Sequence, residues 1–314
     1  MYYSIRHTTE FLYSVPITES MMEVRMQPRT EPRQRCLSFQ LDVTPRTLVS
    51  TFRDALGNLV HHFDIQQSHR RLLLVAESLV ETSPAQPLPA ALPASGWDAY
   101  PDLIDSAEAW ESLTPSHFAQ PTPLLYQLAE ELNAVRRDDP LTLLHQINTG
   151  MWLSFTYKPN STSVDSPIDD ALSNRAGVCQ DYAHIMIALA REVGIPCRYV
   201  SGYLFHRDED TARTADDASH AWVEALLPDL GWVGFDPTNN VLAGERHIRV
   251  AVGRDYADVP PTKGVFKGSA DTTLKVSVQV YPTDRLPTYE GPMPEELVEP
   301  SPANIEQEQM QQQQ

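Results

Sequence analysis

Hydrophobic residues change their spacing along this chain, and that change restricts the possible folds more than any other feature. Between residues 2 and 80, short runs rich in β-branched and aromatic residues alternate with Pro, Gly and Asn, which is typical of strands. From residue 124 onward, apolar residues recur every three or four positions, as on one face of a helix. Strand-like runs return after residue 196. The sequence therefore predicts an α+β fold: an all-β N-terminal domain, a helical block, and then an antiparallel sheet.

These patterns divide the 314 residues into four segments. Residues 1–82 form the predicted β-rich domain, in which DALGN lies between two strand-like runs and predicts a hairpin loop. Residues 83–123 contain eight prolines and little periodicity, which suits a connector on the surface. Residues 124–283 form the predicted core, with TTLKVSVQVYP as its last strand. Residues 284–314 are acidic and rich in Gln, so we expect disorder there.

Composition and charge exclude several classes of protein. The apolar content of 41% is enough for sizeable cores, and the formal net charge of −18 disfavours nucleic acid and anionic membranes as partners. Three cysteines without a C-x-x-C pair support neither a disulfide framework nor a structural zinc site, and no cofactor is expected. The chain shows neither a secretory signal nor a run of about 18 apolar residues, so we expect a cytoplasmic protein.

One cysteine, Cys179, stands at the start of an apolar helix. The residues before it, RAGV, predict a turn, and apolar residues follow at helical spacing as far as Val193. A first-turn cysteine meets unpaired backbone N–H groups and the positive end of the helix dipole, which favour thiolate over thiol. This position predicts a nucleophile. The alternative is a small buried side chain, as we expect for Cys197, because free cysteines are among the most buried residues.

A base and an orienting carboxylate for this thiol follow later in the chain. His220 begins one strand-like run, Asp236 ends the next, and residues 228–231 predict a turn between them. With the hairpin centred in that turn, Asp236 falls three residues out of direct register with His220, so a bulge or a longer loop would be needed. Each residue alone is weak evidence, because His220 is one of ten histidines and Asp236 could be a simple turn residue. Together with Cys179 they supply the three parts of a thiol active site.

Two stretches carry a resemblance to a known family. GVCQDYAHIMIALAREVGIPCRYVSGYL, with its G-V-C-x-D motif, and HAWVEALLPDLGWVGFDPTN are similar to the core of bacterial transglutaminase-like cysteine proteins, a branch of the papain-like superfamily. HTTEFLYSVPITES resembles the β-rich N-terminal region of the same proteins. The resemblance covers residues 1 to about 283 and implies that Cys179 is the nucleophile, His220 the base and Asp236 the orienting residue. It also implies a papain/transglutaminase-like core and an ATP-grasp ligase-like partner.

Residues near these three are expected to support the site. Asp181 and His184 follow Cys179 by two and five positions, so they are turned about 200° and 140° away from it around the helix. We expect them to stabilise the helix, and we expect no metal site, because Cys179 and His184 share no helix face. The resemblance implies an aromatic donor near the oxyanion, for which Tyr157 is the candidate. The alternative is that Tyr157 is a core residue.

The chemistry that the resemblance implies is thiol acyl transfer on a peptide or protein substrate. Water as the acceptor would make the protein a protease or amidase, and an amine would make it a transglutaminase; the resemblance favours hydrolysis. An arylamine-type acyltransferase uses Cys, His and Asp in the same order, but it places the cysteine much nearer the N-terminus. A peptide-binding or assembly module with a vestigial triad is the non-enzymatic alternative.

Overall fold

The computed structural model describes residues 1–207, 213 and 218–284. The predicted disorder of the tail therefore falls outside the described residues, apart from Asp284. Residues 1–283 cluster into one unit. In the described part of the chain, the helices are all too short or too polar to span a bilayer.

The elements follow one another in three groups. The first strands are β1 (Tyr2–Ile17), β2 (Glu19–Val24), β3 (Gln34–Thr44), β4 (Ser50–Arg53), β5 (Leu59–Ile65) and β6 (His69–Thr82). The middle of the chain contains α1 (Tyr100–Leu103), α2 (Ala107–Glu111), α3 (Pro123–Glu131), α4 (Pro140–Ser154), β7 (Thr156–Tyr157), α5 (Ile168–Asn174), β8 (Ala176–Gly177) and α6 (Cys179–Glu192). The last strands are β9 (Cys197–Leu204), β10 (His220–Leu227), β11 (Gly231–Asp236), β12 (Val241–Leu242), β13 (His247–Gly253), β14 (Thr262–Lys267) and β15 (Thr272–Pro282).

Two four-stranded antiparallel sheets form the N-terminal region. Their strand orders are β15-β1-β6-β3 and β14-β2-β5-β4. Side chains alternate between the two faces of each strand, and the inner faces of the two sheets share one apolar core. This core includes Tyr13, Ile17, Met22, Val24, Phe63, Ile65, Leu72 and Leu74. The predicted hairpin loop lies between β4 and β5, where Gly57 has a φ of 75°, a left-handed value that glycine adopts without strain.

The last two strands belong to these N-terminal sheets. β14 pairs antiparallel with β2, and β15 pairs antiparallel with β1. The sequence pattern assigns this stretch to the core instead. The difference arises because the alternation of apolar and polar residues identifies a strand without specifying the sheet that accepts it. The C-terminal strands therefore complete the N-terminal region.

The core is built around helix α6. A five-stranded antiparallel sheet, in the order β12-β11-β10-β9-β13, packs against α6 through β9 and β10. The residues of α6 from Gln180 to Arg191 are all buried. The helix ends where the sequence predicts, because Gly194 adopts a φ of 81° and Pro196 cannot continue a helix. Cys179 is therefore the half-buried first residue of a helix whose interior is buried against the core sheet.

Two buried amide side chains join the N-terminal region to the core sheet. The Gln34 amide donates to the carbonyl oxygen of Arg249 at 2.8 Å and accepts the N–H of the same residue at 2.8 Å. Asn58 makes the same two bonds with Val252, both at 2.8 Å. Because β13 is an edge strand of its sheet, these amides supply hydrogen-bond partners to its backbone, and the Arg249 carbonyl oxygen also accepts the Arg29 N–H at 3.0 Å. The N-terminal region thus holds β13 in position.

Candidate active site

Cys179 is the first residue of α6 and is half-buried. The residue before it, Val178, is extended, and its N–H donates to Asp181 Oδ2 at 2.8 Å. The same oxygen accepts the Thr162 hydroxyl at 2.6 Å. A Cβ on Gly177 would lie 2.7 Å from this oxygen, so the turn before the helix requires glycine. Asp181 therefore caps the helix and holds the backbone around Cys179.

Tyr157 lies beside the start of the same helix. β7 and β8 pair in parallel with Tyr157 opposite Gly177, and the Lys158 N–H donates to the Gly177 carbonyl oxygen at 2.9 Å. Tyr157 is half-buried and packs against the core. Its backbone is thus fixed next to the residue that precedes Cys179 by two positions. Its role as an oxyanion donor stays a prediction.

His220 is the first residue of β10, and Asp236 is the last residue of β11. The two strands pair with Leu227 opposite Gly231, and no bulge interrupts the pairing that the structure describes. Continued to the strand ends, this register makes His220 and Asp236 diagonal neighbours on one face of the sheet. The hairpin is centred on Asp229, half a residue earlier than predicted, so each residue of β10 pairs with a partner one position earlier in β11. In this register the two side chains lie on the same face of the sheet, and the expectation of a bulge or a longer loop is wrong.

The Asp236 carboxylate is buried and accepts five hydrogen bonds from the residues that the structure describes. Its Oδ2 accepts His220 Nε2 at 2.7 Å, Asn239 Nδ2 at 2.8 Å and His247 Nε2 at 3.2 Å. Its Oδ1 accepts the backbone N–H groups of Thr238 at 3.0 Å and of Asn239 at 3.2 Å. Burial raises the pKa of Asp236, but the His220 and His247 imidazoles hold that pKa well below its usual value. The carboxylate is therefore ionised at neutral pH.

The His220 imidazole contacts Asp236 and lies near Cys179. Its Nε2 donates to Asp236, which leaves Nδ1 free to accept a proton. Among the described residues, no group forms a hydrogen bond with this buried Nδ1. The Cys179 sulfur is nevertheless close enough to stabilise the charged form of the ring. Burial lowers the pKa of His220, but Asp236 and then Cys179 raise it, to about 10. His220 is therefore an imidazolium at neutral pH.

His247, the first residue of β13, is a further member of this cluster that the sequence does not point to. Its Nδ1 accepts the Gly244 N–H at 3.2 Å, so its proton lies on Nε2, which donates to Asp236. Burial lowers the pKa of His247 more than Asp236 raises it, and this ring is neutral while His220 is charged. The contact depends on the strand order β13-β9-β10-β11, which local patterns do not reveal. The one available signal is that His247, like His220, begins a strand-like run.

Comparisons with known proteins identify the family. Residues 127–237 match the model of the transglutaminase-like superfamily, and residues 3–81 match the bacterial transglutaminase-like N-terminal region. A Mycobacterium tuberculosis protein is 33% identical over 306 residues, which cover 89% of this chain and 92% of that protein. A Mycobacterium leprae protein is 34% identical over 278 residues, which cover 87% and 96%. The chain belongs to the transglutaminase-like superfamily.

A further relative agrees on the family of this transglutaminase-like chain, and a solved structure agrees on its fold. A protein-glutamine gamma-glutamyltransferase from Pseudomonas aeruginosa is 30% identical over 186 residues, which cover 52% of this chain and 26% of the enzyme. The crystal structure of a candidate cysteine protease from Cytophaga hutchinsonii covers 91% of this chain and 93% of its own, with a TM-score of 0.70 and 23% identity. The predicted fold class is thereby confirmed. Superfamily members are generally enzymes, and the family is one of thiol acyl transfer.

In this transglutaminase-like core, His184 lies apart from the cluster around Asp236. Its Nε2 accepts the Tyr256 N–H at 3.1 Å, and its ring stacks on Phe118. Burial lowers the pKa of His184 to about 3, so the ring is neutral. It packs α6 against its surroundings, which is what its angle around the helix predicts.

The cluster also has the composition of a metal site. One ligand atom each from His220, Asp236 and His247 lie within 4.8 Å of one another. Both imidazoles, however, already donate a proton to the Asp236 carboxylate, and each would lose that hydrogen bond on binding an ion. The distances describe a hydrogen-bonded cluster of the kind that orients a catalytic histidine.

Proposed function

We propose that this protein is a thiol acyl-transfer enzyme in which Cys179 is the nucleophile, His220 the acid and base, and Asp236 the residue that orients His220. One observation carries the proposal. A buried imidazole is hydrogen-bonded at 2.7 Å to a buried carboxylate, and a half-buried cysteine at a helix start lies close enough to raise the pKa of the same imidazole. This arrangement supports a thiolate and imidazolium pair.

The acylation step follows from the positions of these groups. The Cys179 thiolate attacks the carbonyl carbon of a carboxamide or peptide, and a C–S bond forms. The C–N bond then breaks, and His220 Nδ1 gives its proton to the departing amine. We propose that the Cys179 backbone N–H and the Tyr157 hydroxyl stabilise the oxyanion, since each donor of this kind is worth about 2.7 to 4 kcal/mol.

The second step decides the type of enzyme. His220, now neutral, takes a proton from the acceptor, which attacks the thioester carbonyl. The C–S bond breaks, and the thiolate and imidazolium pair is restored. We propose water as the acceptor, and hence a protease or amidase, because a half-buried nucleophile leaves its thioester open to water. An amine acceptor is the second candidate, favoured by the matching 186 residues of the Pseudomonas transglutaminase.

The substrate class follows from charge. With a net charge of −18, the protein favours neutral or basic peptides over acidic ones. A cytoplasmic location and an ATP-grasp ligase-like partner stay predictions.

The experiment that tests the proposal measures the acyl-enzyme itself. The purified protein is incubated with a library of peptides and glutamine-containing donors, with and without a primary amine, and mass spectrometry locates any thioester. We expect adducts on Cys179 in the wild type and none in Cys179→Ala, while Cys197→Ala, which alters a fully buried thiol, retains them. Release of free acid identifies hydrolysis, and incorporation of the amine identifies transfer. An adduct that persists in Cys179→Ala would refute the proposal.

A further inference from the structure

We infer that His247 is a positioning residue of the active site, which holds the Asp236 carboxylate in the orientation that directs His220 toward Cys179. The inference rests on the proposed function, because a positioning residue has a role only if the triad is active. His247 acts through Asp236 and takes no part in the covalent steps.

Both imidazoles bind the same oxygen atom. His220 Nε2 lies 2.7 Å and His247 Nε2 lies 3.2 Å from Asp236 Oδ2. The two rings are 6.0 Å apart and inclined by 47°, so they approach this oxygen from different directions. Asn239 Nδ2 also donates to this oxygen, and two backbone N–H groups hold Oδ1, so rotation about the Cβ–Cγ bond is already restricted. His247 adds a third donor on Oδ2, the oxygen that His220 uses. His247 therefore limits the direction from which His220 can donate.

The His247 ring is itself held from several sides. The Gly244 N–H fixes its tautomer at 3.2 Å, and the buried Trp222 ring meets it edge-on at 5.2 Å. Its strand is fixed to the N-terminal region by Gln34 and Asn58. A side chain anchored in this way can fix its hydrogen-bond partner as well.

Charge explains why a histidine suits this position. His247 is neutral and His220 is charged, so the two imidazoles on Asp236 are one cation and one neutral donor. A second cation would compete with His220 for the negative charge of the carboxylate. An apolar side chain would remove one of the three donors of Oδ2. A neutral N–H at this point keeps the carboxylate fixed and leaves its charge for His220.

The test compares two substitutions in the full chain by the rate at which iodoacetamide alkylates Cys179 at pH 6. His247→Leu removes the donor, while His247→Gln keeps a neutral N–H at the end of a side chain of similar reach. His61→Leu is the matched control, because it removes another buried imidazole from β5 of the N-terminal sheets. Peptide mass spectrometry gives the rate, and the melting temperature shows that each variant is folded.

We expect His247→Leu to slow the alkylation roughly tenfold or more, and His247→Gln to stay within about threefold of the wild type. His61→Leu should alkylate at the wild-type rate. A wild-type rate in His247→Leu, or a rate in His247→Gln as low as that of His247→Leu, would overturn the inference. If His247→Leu does not fold, His247→Asn takes its place with the same expected loss, because its shorter side chain does not reach Oδ2.

Asp236→Asn, measured in the same series, separates this inference from the proposed function. If Asp236→Asn slows the alkylation and His247→Leu does not, the inference alone is wrong. If neither variant slows it, the proposed function is wrong as well.

Discussion

Two carboxylates are completely buried in the core sheet, and they are stabilised in different ways. Glu224, on β10, is paired with Arg198 at 2.8 Å and with Arg249. Asp236, on the neighbouring strand β11, is held by two histidines and by the residues that follow it. A buried charge without compensation is too costly to persist, so both sites need their partners.

The two sites differ in whether the compensating charge can move. Arginine keeps its proton throughout the physiological range, so Glu224 lies in a fixed ion group. Burial raises the pKa of Glu224, but Arg249 and Arg198 bring it below its usual value. Histidine can release its proton, so Asp236 faces a partner that can pass a proton to a substrate. Within one sheet, the arginine-bound carboxylate serves the fold and the histidine-bound carboxylate serves the proposed chemistry.

The largest expected effect is on stability and comes from Glu224→Gln. This change removes the buried counter-charge of Arg198 and Arg249, which keep only the more exposed Glu108 and Glu31, and should lower the free energy of unfolding by up to about 3 to 5 kcal/mol. The alkylation rate of Cys179 in the folded fraction should equal that of the wild type. Urea unfolding and peptide mass spectrometry measure the two quantities. A large loss of Cys179 reactivity in the folded variant would remove the distinction between the two carboxylates.

Asp236→Asn should act mainly on reactivity, lowering the reaction rate of Cys179 by roughly 10² or more. An amide cannot stabilise the His220 imidazolium, and its N–H group would face other donors. Since Asp236 accepts five hydrogen bonds, some stability should also be lost. Asp229→Asn is the matched control in the same hairpin, because Asn tolerates the left-handed φ of 60°. Equal rates in the two variants would exclude Asp236 from the mechanism.

The pH dependence of stability should also separate the two sites. The pKa of His220 is raised to about 10, so its contribution to stability is complete below about pH 6.5 and is lost as the pH rises through about 10. For one proton the slope reaches at most about 1.4 kcal/mol per pH unit. The difference in the free energy of unfolding between the wild type and Asp236→Asn should therefore decrease as the pH rises from 7 to 10. The same difference for Glu224→Gln should be flat, and a flat line for both would contradict the raised pKa.

The parts of this site that could be predicted from sequence are those fixed by local structure. Cys179 lies at a helix start that is marked by a turn and a helical period, and His220 and Asp236 lie at the two ends of one hairpin. Their meeting was predictable, but the register was not, because a shift of half a residue in the turn moves the pairing by one position.

The parts that could not be predicted depend on pairing between distant strands. His247 reaches Asp236 because β13 joins the sheet on the far side of β9. The strands after residue 261 join the N-terminal sheets for a similar reason. Alternating apolar residues look the same whichever sheet receives them, so neither contact has a local signal.

The central claim is that His220 and Asp236 activate Cys179, and one competition measurement on the unmodified protein tests it most directly. Iodoacetamide is added to the folded protein at pH 6, and peptide mass spectrometry follows Cys179 and Cys36 in the same sample. Cys36 is also half-buried, and burial raises its pKa to about 11, so it serves as the internal reference. The account predicts that Cys179 is alkylated at least about 10² times faster than Cys36. Equal rates, or faster modification of Cys36, would contradict it.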